Sequence, residues 1–139
     1  MHRIVFTSRA SQALTREDIE KLREHAAAAN EREKMTGLFL FDGSRFLLAL
    51  EGPEVPLLKL MRKIYADKRH YDIVFILSEK AQTRQFPHWA MSQTFSFDEN
   101  DRLDLLEQVK RELSMVSNVE VKAHFFGFTA LARTTRTWV

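Results

Sequence analysis

Met35-Thr36-Gly37-Leu38-Phe39-Leu40-Phe41, the turn Asp42-Gly43-Ser44, and Arg45-Phe46-Leu47-Leu48-Ala49-Leu50-Glu51-Gly52-Pro53 form the stretch that decides the fold. The two apolar runs, Met35 to Phe41 and Phe46 to Leu50, have strand length. Asp42-Gly43 between them is a strong hairpin signal, because both residues tolerate the positive φ that a tight turn needs. Neither run alternates cleanly, which predicts neighbouring strands at the centre of a sheet covered on both faces. Gly52-Pro53 breaks the second strand.

Upstream, Arg3 to Thr7 reads as a short buried strand and Ser8 to Leu14 as a polar connection. Thr15 opens a helix: Thr15 with Asp18 is a weak capping box, and Glu17 and Asp18 suit the positive end of the helix dipole. Ile19, Leu22, Ala26 and Ala29 share one helical face, and the helix runs to about Glu33. Downstream, Glu54 to Lys68 reads as a second helix with Leu57, Leu58, Met61, Ile64 and Tyr65 on one stripe. Asp72 to Leu77 is a β-branched strand. Trp89 to Phe97 is a last strand after the polar connection Ala81 to His88. The order β-α-β-β-α-β-β defines an α+β fold, a ferredoxin-like β-α-β-β-α-β sandwich with an added fifth strand. Residues 98–139 form a C-terminal helical extension, with a helix over Asp101 to Ser114 that carries Leu103, Leu106, Val109 and Leu113. That helix is expected to cover the free sheet face or join a partner. The tail from Val119, with Phe125-Phe126-Gly127-Phe128, takes no assigned place. The domain division is therefore 1–97 and 98–139.

The chain of 139 residues is 45% hydrophobic, enough for a real core. Its net charge of +2 is no nucleic-acid stripe. No apolar run is long enough to span a bilayer, and Met1 to Phe6 is too short for the apolar part of a signal peptide. With no cysteine, disulfides and thiolate chemistry are excluded, which fits a cytoplasmic protein. His2, His25, His70, His88 and His124 have no spacing that recommends a metal site. No phosphate-binding glycine loop or nucleophile elbow is present, and an enzyme is not expected.

Five pieces stand in a telling order. They are Arg3-Ile4-Val5-Phe6-Thr7-Ser8-Arg9-Ala10-Ser11; Asn30 six residues before Thr36-Gly37; Phe46-Leu47-Leu48-Ala49-Leu50-Glu51-Gly52; Asp67-Lys68-Arg69-His70; and Phe86-Pro87-His88-Trp89-Ala90-Met91. Together they resemble the BLUF family, blue-light sensors that bind a flavin between the two helices of a ferredoxin-like fold. The third piece resembles the family's Phe-Leu-Gln-Val-Leu-Glu-Gly strand and the fourth its Asp-x-Arg-His element. The resemblance implies FAD as cofactor. It implies that Asn30 hydrogen-bonds the polar edge of the isoalloxazine, since an amide both donates and accepts. It implies Ile19, Leu22, Leu38, Leu40 and Ile64 as apolar walls, and Lys63, Asp67, Arg69 and His70 near the flavin's side chain and phosphate. Trp89 and Met91 fall on the strand that follows the light state in the family.

Two positions depart from the family. Its relay resembles a tyrosine on the first strand giving an electron and a proton to the excited flavin, while a glutamine on the third strand rearranges its hydrogen bonds. Here those positions are Phe6, which has no hydroxyl, and Leu48, which has no donor or acceptor. Three functions follow: a flavin-binding sensor without the ordinary photocycle; a flavin-free regulatory or interaction module of the same fold; and, last, an enzyme using the inter-helix pocket. Asn30 also reads as a helix-ending residue, Lys63, Arg69 and His70 as a solvated helix end, and Trp89 and Met91 as core. Expected partners are flavin, a second copy of the chain and an unidentified protein; neither a membrane nor a nucleic acid is expected.

Overall fold

The hairpin closes at Asp42-Gly43-Ser44 by a different division of labour from the one expected. Only Gly43 takes a positive φ, 99°. Asp42 is fully buried, and its carboxylate accepts from the N–H groups of Ser44 and Arg45 at 3.0 and 2.7 Å and from Arg45 Nε at 3.0 Å. The short acid side chain thus replaces the backbone acceptors that the turn lacks.

The computed structural model describes residues 1–93 and 99–137. The elements are β1 (His2–Ala10), α1 (Arg16–Arg32), β2 (Thr36–Phe41), β3 (Arg45–Gly52), α2 (Glu54–Ala66), β4 (His70–Lys80), β5 (Trp89–Gln93), α3 (Glu99–Glu112) and α4 (Val119–Thr137). The strands lie in the order β4-β1-β3-β2-β5. The β1–β3, β1–β4 and β2–β3 pairs are antiparallel and β2–β5 is parallel. This is the ferredoxin-like sandwich with its fifth strand. The part of the expected last strand at 94–97 lies outside the described residues, and the tail left unassigned by the sequence contributes α4.

Strand parity sorts the side chains. Ile4, Phe6, Leu48 and Leu50 pack with Leu57 and Met61 of α2 on one face. Val5, Leu38, Leu40, Leu47 and Ala49 pack on the other face with Leu105, Val109 and Leu113 of α3 and Val121, Phe125 and Phe128 of α4. The α3 stripe is therefore 105, 109 and 113, and Leu103, expected in it, is exposed. On α2 the buried stripe is narrower than the spacing suggests, with Leu58 and Tyr65 in solvent. Gly37 is required by the close approach of β2 to β3: a Cβ there would stand 1.9 Å from the Ala49 carbonyl oxygen.

Helix ends follow local chemistry. Thr15 and Asp18 make the reciprocal capping box, Asp18 N–H to Thr15 Oγ1 at 3.1 Å and Thr15 N–H to Asp18 Oδ2 at 2.9 Å. Both Thr15 groups hold the Asp18 carboxyl below its usual range, the backbone N–H foremost. At the other end of α1, Lys34 adopts φ 58°, Lys34 N–H bonds the Glu31 carbonyl at 3.3 Å, and Met35 N–H bonds the Asn30 carbonyl at 2.7 Å. That is a Schellman ending with Lys34, not Asn30, in the left-handed position. β4 lies at the edge of the sheet and slips register against β1 between Val5 and Phe6 and again between Thr7 and Arg9; Asp72 beside the second slip has φ 52°.

Glu51 ties the sheet to the β4–β5 connection. It is fully buried and accepts from Arg3 Nε and Nη2 at 2.9 and 2.8 Å and from the N–H groups of Gln85 and Phe86 at 2.8 and 2.6 Å. Arg3 also reaches Glu79 at 2.7 Å and the Thr83 carbonyl at 3.1 Å. Gln85 Oε1 in turn accepts from the N–H groups of Ser117 and Asn118 at 2.8 and 2.9 Å, between α3 and α4.

Candidate functional site: the cleft between α1 and α2

Register places one row of residues across the sheet. Phe75 of β4 pairs with Phe6 of β1, Phe6 with Leu48 of β3, Leu48 with Phe39 of β2, and Phe39 with Met91 of β5. The middle of the row, Phe6, Leu48 and Phe39, forms the floor of the cleft that α1 and α2 bound. Phe6 and Leu48 are nearly buried, and the Phe6 and Phe75 ring centroids are 6.0 Å apart.

The middle of the cleft is a cavity of about 300 Å³, the lower end of the range for ligand sites. Leu22, Ala26, Phe39, Leu48, Leu60 and Ile64 give it an apolar lining. Besides His25, Lys63, Asp67 and Arg69, two polar residues, Asn30 and Trp89, line it. Asn30, 3% exposed, lines the cavity, and its backbone carbonyl accepts from Met35 N–H at the end of α1. Trp89 lines it too, and its indole N–H is buried without a partner among the described residues. A buried group left unpaired costs about 1–3 kcal/mol. A largely apolar slot with an amide residue and a buried indole donor among its polar lining suits a flat heteroaromatic ligand with polar atoms along one edge, and FAD carries such a ring.

A smaller apolar cavity of about 100 Å³ continues the cleft, lined by Phe6, Ser8, Phe46, Leu48, Ile64 and His70 among others. The Ile64 carbonyl can only accept, so His70 Nε2 carries the proton donated to it at 2.5 Å, and Nδ1 pairs with the Ser8 hydroxyl at 2.8 Å. Asp67 and Arg69 line both cavities and bond each other, Arg69 Nε to Asp67 Oδ1 at 2.9 Å. The Arg69 side chain holds the Asp67 carboxyl below its usual range, and Asp67 in turn raises the Arg69 guanidinium.

Of the residues singled out from the sequence, Phe6, Leu22, Asn30, Leu48, Lys63, Ile64, Asp67, Arg69, His70 and Trp89 meet at this cleft. Leu38 and Leu40 do not. They pair with Ala49 and Leu47, which puts them on the opposite face against α3 and α4. Ile19 is buried beneath α1 with Leu14, Phe41 and Phe46 instead of lining the cavities. The Met91 side chain lies outside what is described; its backbone holds the last place in the row. The sequence reading missed Phe39, Phe46 and Leu60. Counting outward from the hairpin turn would have found Phe39, since Leu48 must pair with it.

A ferredoxin-like sheet with a largely apolar cleft walled by α1 and α2 defines the class: a small α+β fold with an open cleft on its helical face. The family model described as BLUF, sensors of blue light using FAD, matches residues 1–92, and the chain belongs to that family. The blue light- and temperature-regulated antirepressor BluF of Escherichia coli (strain K12) is 38% identical over 96 residues, covering 67% of this chain and 24% of that protein. The photoactivated adenylate cyclase subunit alpha-like protein FB of Euglena gracilis is 32% identical over 83 residues, 60% of this chain and 8% of that one. This chain thus spans about a quarter or less of these curated relatives. Among solved structures, the dark state of BlrB, a BLUF protein, superposes with TM-score 0.68 at 26% identity, over 93% of this chain and 95% of that one. Klebsiella pneumoniae BlrP1 in a manganese and cyclic-diGMP complex gives 0.75 at 23% identity over 93% and 32%, which shows shared fold. FAD is the family's cofactor. No described helix is long and apolar enough to cross a membrane.

Proposed function

We propose that this chain is a flavin-binding sensor module of the cytoplasm, not an enzyme, in which the ordinary blue-light relay has been removed. The observation that carries the reading is the contrast within one cleft. The Trp89 indole N–H is buried without a partner among the described residues and Asn30 lines the same cavity, polar groups that suit a flat polar-edged ring, while Phe6 and Leu48 present only carbon beneath it. FAD, when bound, supplies absorption of blue light. Asn30 orients the ring edge, Leu22, Phe39, Leu60 and Ile64 hold its faces and exclude water, and Trp89 donates from β5. Neither Phe6 nor Leu48 has a proton to move or an amide to rearrange, so the dark hydrogen-bond pattern persists in the light. Residues 1–97 act as the sensing unit and 98–139 as the element that meets a second copy or a protein partner, with the Gln85 link to the α3–α4 connection as a route between them.

The test is an absorption spectrum after incubation with FAD and gel filtration, then a light-minus-dark spectrum. A retained flavin band without a red shift in light is expected. The double variant Phe6→Tyr with Leu48→Gln should bring the shift back. A red shift in the unaltered protein, or none in the flavin-loaded double variant, overturns the relay argument. Absence of retained flavin favours the second reading, a flavin-free interaction module, which the continuous carbon floor Phe6–Leu48–Phe39 supports.

A further inference from the structure

The cleft has a third compartment. A cavity of about 370 Å³ opens at the end of α1 and the first half of α2, and it shares Asn30, Leu60 and Lys63 with the 300 Å³ cavity. Its rim is basic. Lys59, Arg62 and Lys63 line it from one side of α2, and Arg32 lines it from α1; Glu33 is the one carboxylate in the lining. All five are exposed, and the four cations have no ion-pair partner among the described residues. Like charges three and four residues apart on a helix cost a few tenths of a kcal/mol, and among the described residues none of the four forms an ion pair that would offset this. At the opposite end of the cleft the cations are already engaged: Arg69 bonds Asp67, and both His70 nitrogens are used by Ser8 and the Ile64 carbonyl.

We infer that Lys59, Arg62, Lys63 and Arg32 hold the anionic diphosphate arm of a flavin dinucleotide, so that the protein selects flavin nucleotides over the uncharged flavin by charge. The inference rests on the flavin-binding reading above. Guanidinium groups meet phosphate oxygens in pairs and ammonium groups act as point charges. Because the rim is exposed, the selection is modest and screened by salt.

The experiment titrates the full chain with riboflavin, FMN and FAD by flavin fluorescence at about 0.01 M and about 0.15 M ionic strength, where the screening length falls from about 30 to about 8 Å. FAD is expected to bind roughly tenfold tighter than riboflavin at low salt, about 1.4 kcal/mol. That margin should shrink at the higher salt, and inorganic pyrophosphate should compete with FAD but not with riboflavin. The variant Lys59→Gln with Arg62→Gln should lose the FAD margin and keep its riboflavin affinity and its circular-dichroism spectrum. Equal, salt-independent binding of all three flavins overturns the inference while leaving flavin binding intact. Failure to bind any of them overturns both. A margin that survives in the double variant places the phosphates elsewhere and also refutes the inference.

Discussion

Glu51→Ala is the most informative perturbation of the fold. The carboxylate is fully buried and serves Arg3 and the N–H groups of Gln85 and Phe86 at once. Removing it strands two backbone donors, at about 1–3 kcal/mol for each that stays buried. It also breaks a buried ion pair, at about 3–5 kcal/mol. These costs overlap, because one carboxylate serves all the partners, and Arg3 keeps Glu79 and the Thr83 carbonyl. The expected loss is therefore about 3–4 kcal/mol, a large share of the roughly 5–15 kcal/mol that holds a typical domain. Urea unfolding followed by circular dichroism should show the midpoint falling by about 1.5–2 M for a slope near 2 kcal/mol/M. In an Arg3→Met background the same substitution should cost at least about 1 kcal/mol less, because no buried cation is then stranded. A loss under about 1 kcal/mol, or equal losses in both backgrounds, would refute the reasoning.

Gly37→Ala should lower the melting temperature by about 10 °C or prevent folding, since its methyl group meets the Ala49 carbonyl at 1.9 Å and only strand displacement relieves it; calorimetry decides. Lys34→Gly should stabilise the protein by about 0.5–1 kcal/mol by removing left-handed strain at φ 58°, read by urea unfolding. For Asp67, whose carboxyl is lowered by Arg69, the stabilisation is complete above the ordinary value of 3.8 and is lost as pH falls through the lowered native one. The pair is partly exposed, so Asp67→Asn should cost at most about 1 kcal/mol at neutral pH, and that difference should vanish in acid, as unfolding measured across pH will show.

The order of the strands and first two helices was legible because each carries a local signal: a turn pair, a proline break, a capping box. The face on which a side chain lies was less so. Leu38 and Leu40 look like Leu48 in composition, and only pairing across the hairpin separates them, a non-local fact. The same holds for Asn30. Its position near the end of α1 suggested a cap, yet the left-handed residue is Lys34, the ending uses only the Asn30 backbone carbonyl, and the residue lines the cleft. Glu51 and Arg3 were unremarkable charges in the sequence, since nothing local says that residues 48 apart share one buried bond.

The edge strand β4 carries exposed Val74 and Phe75 along its length, which in a flat strand would template the addition of another chain. Its two register slips and the left-handed Asp72 bend the line of free backbone groups away from any regular partner. The molecule is thereby guarded against growing into continuous sheet and fibre. At the β4 edge, then, a second copy of this chain meets a bent, interrupted line of backbone groups in place of a template.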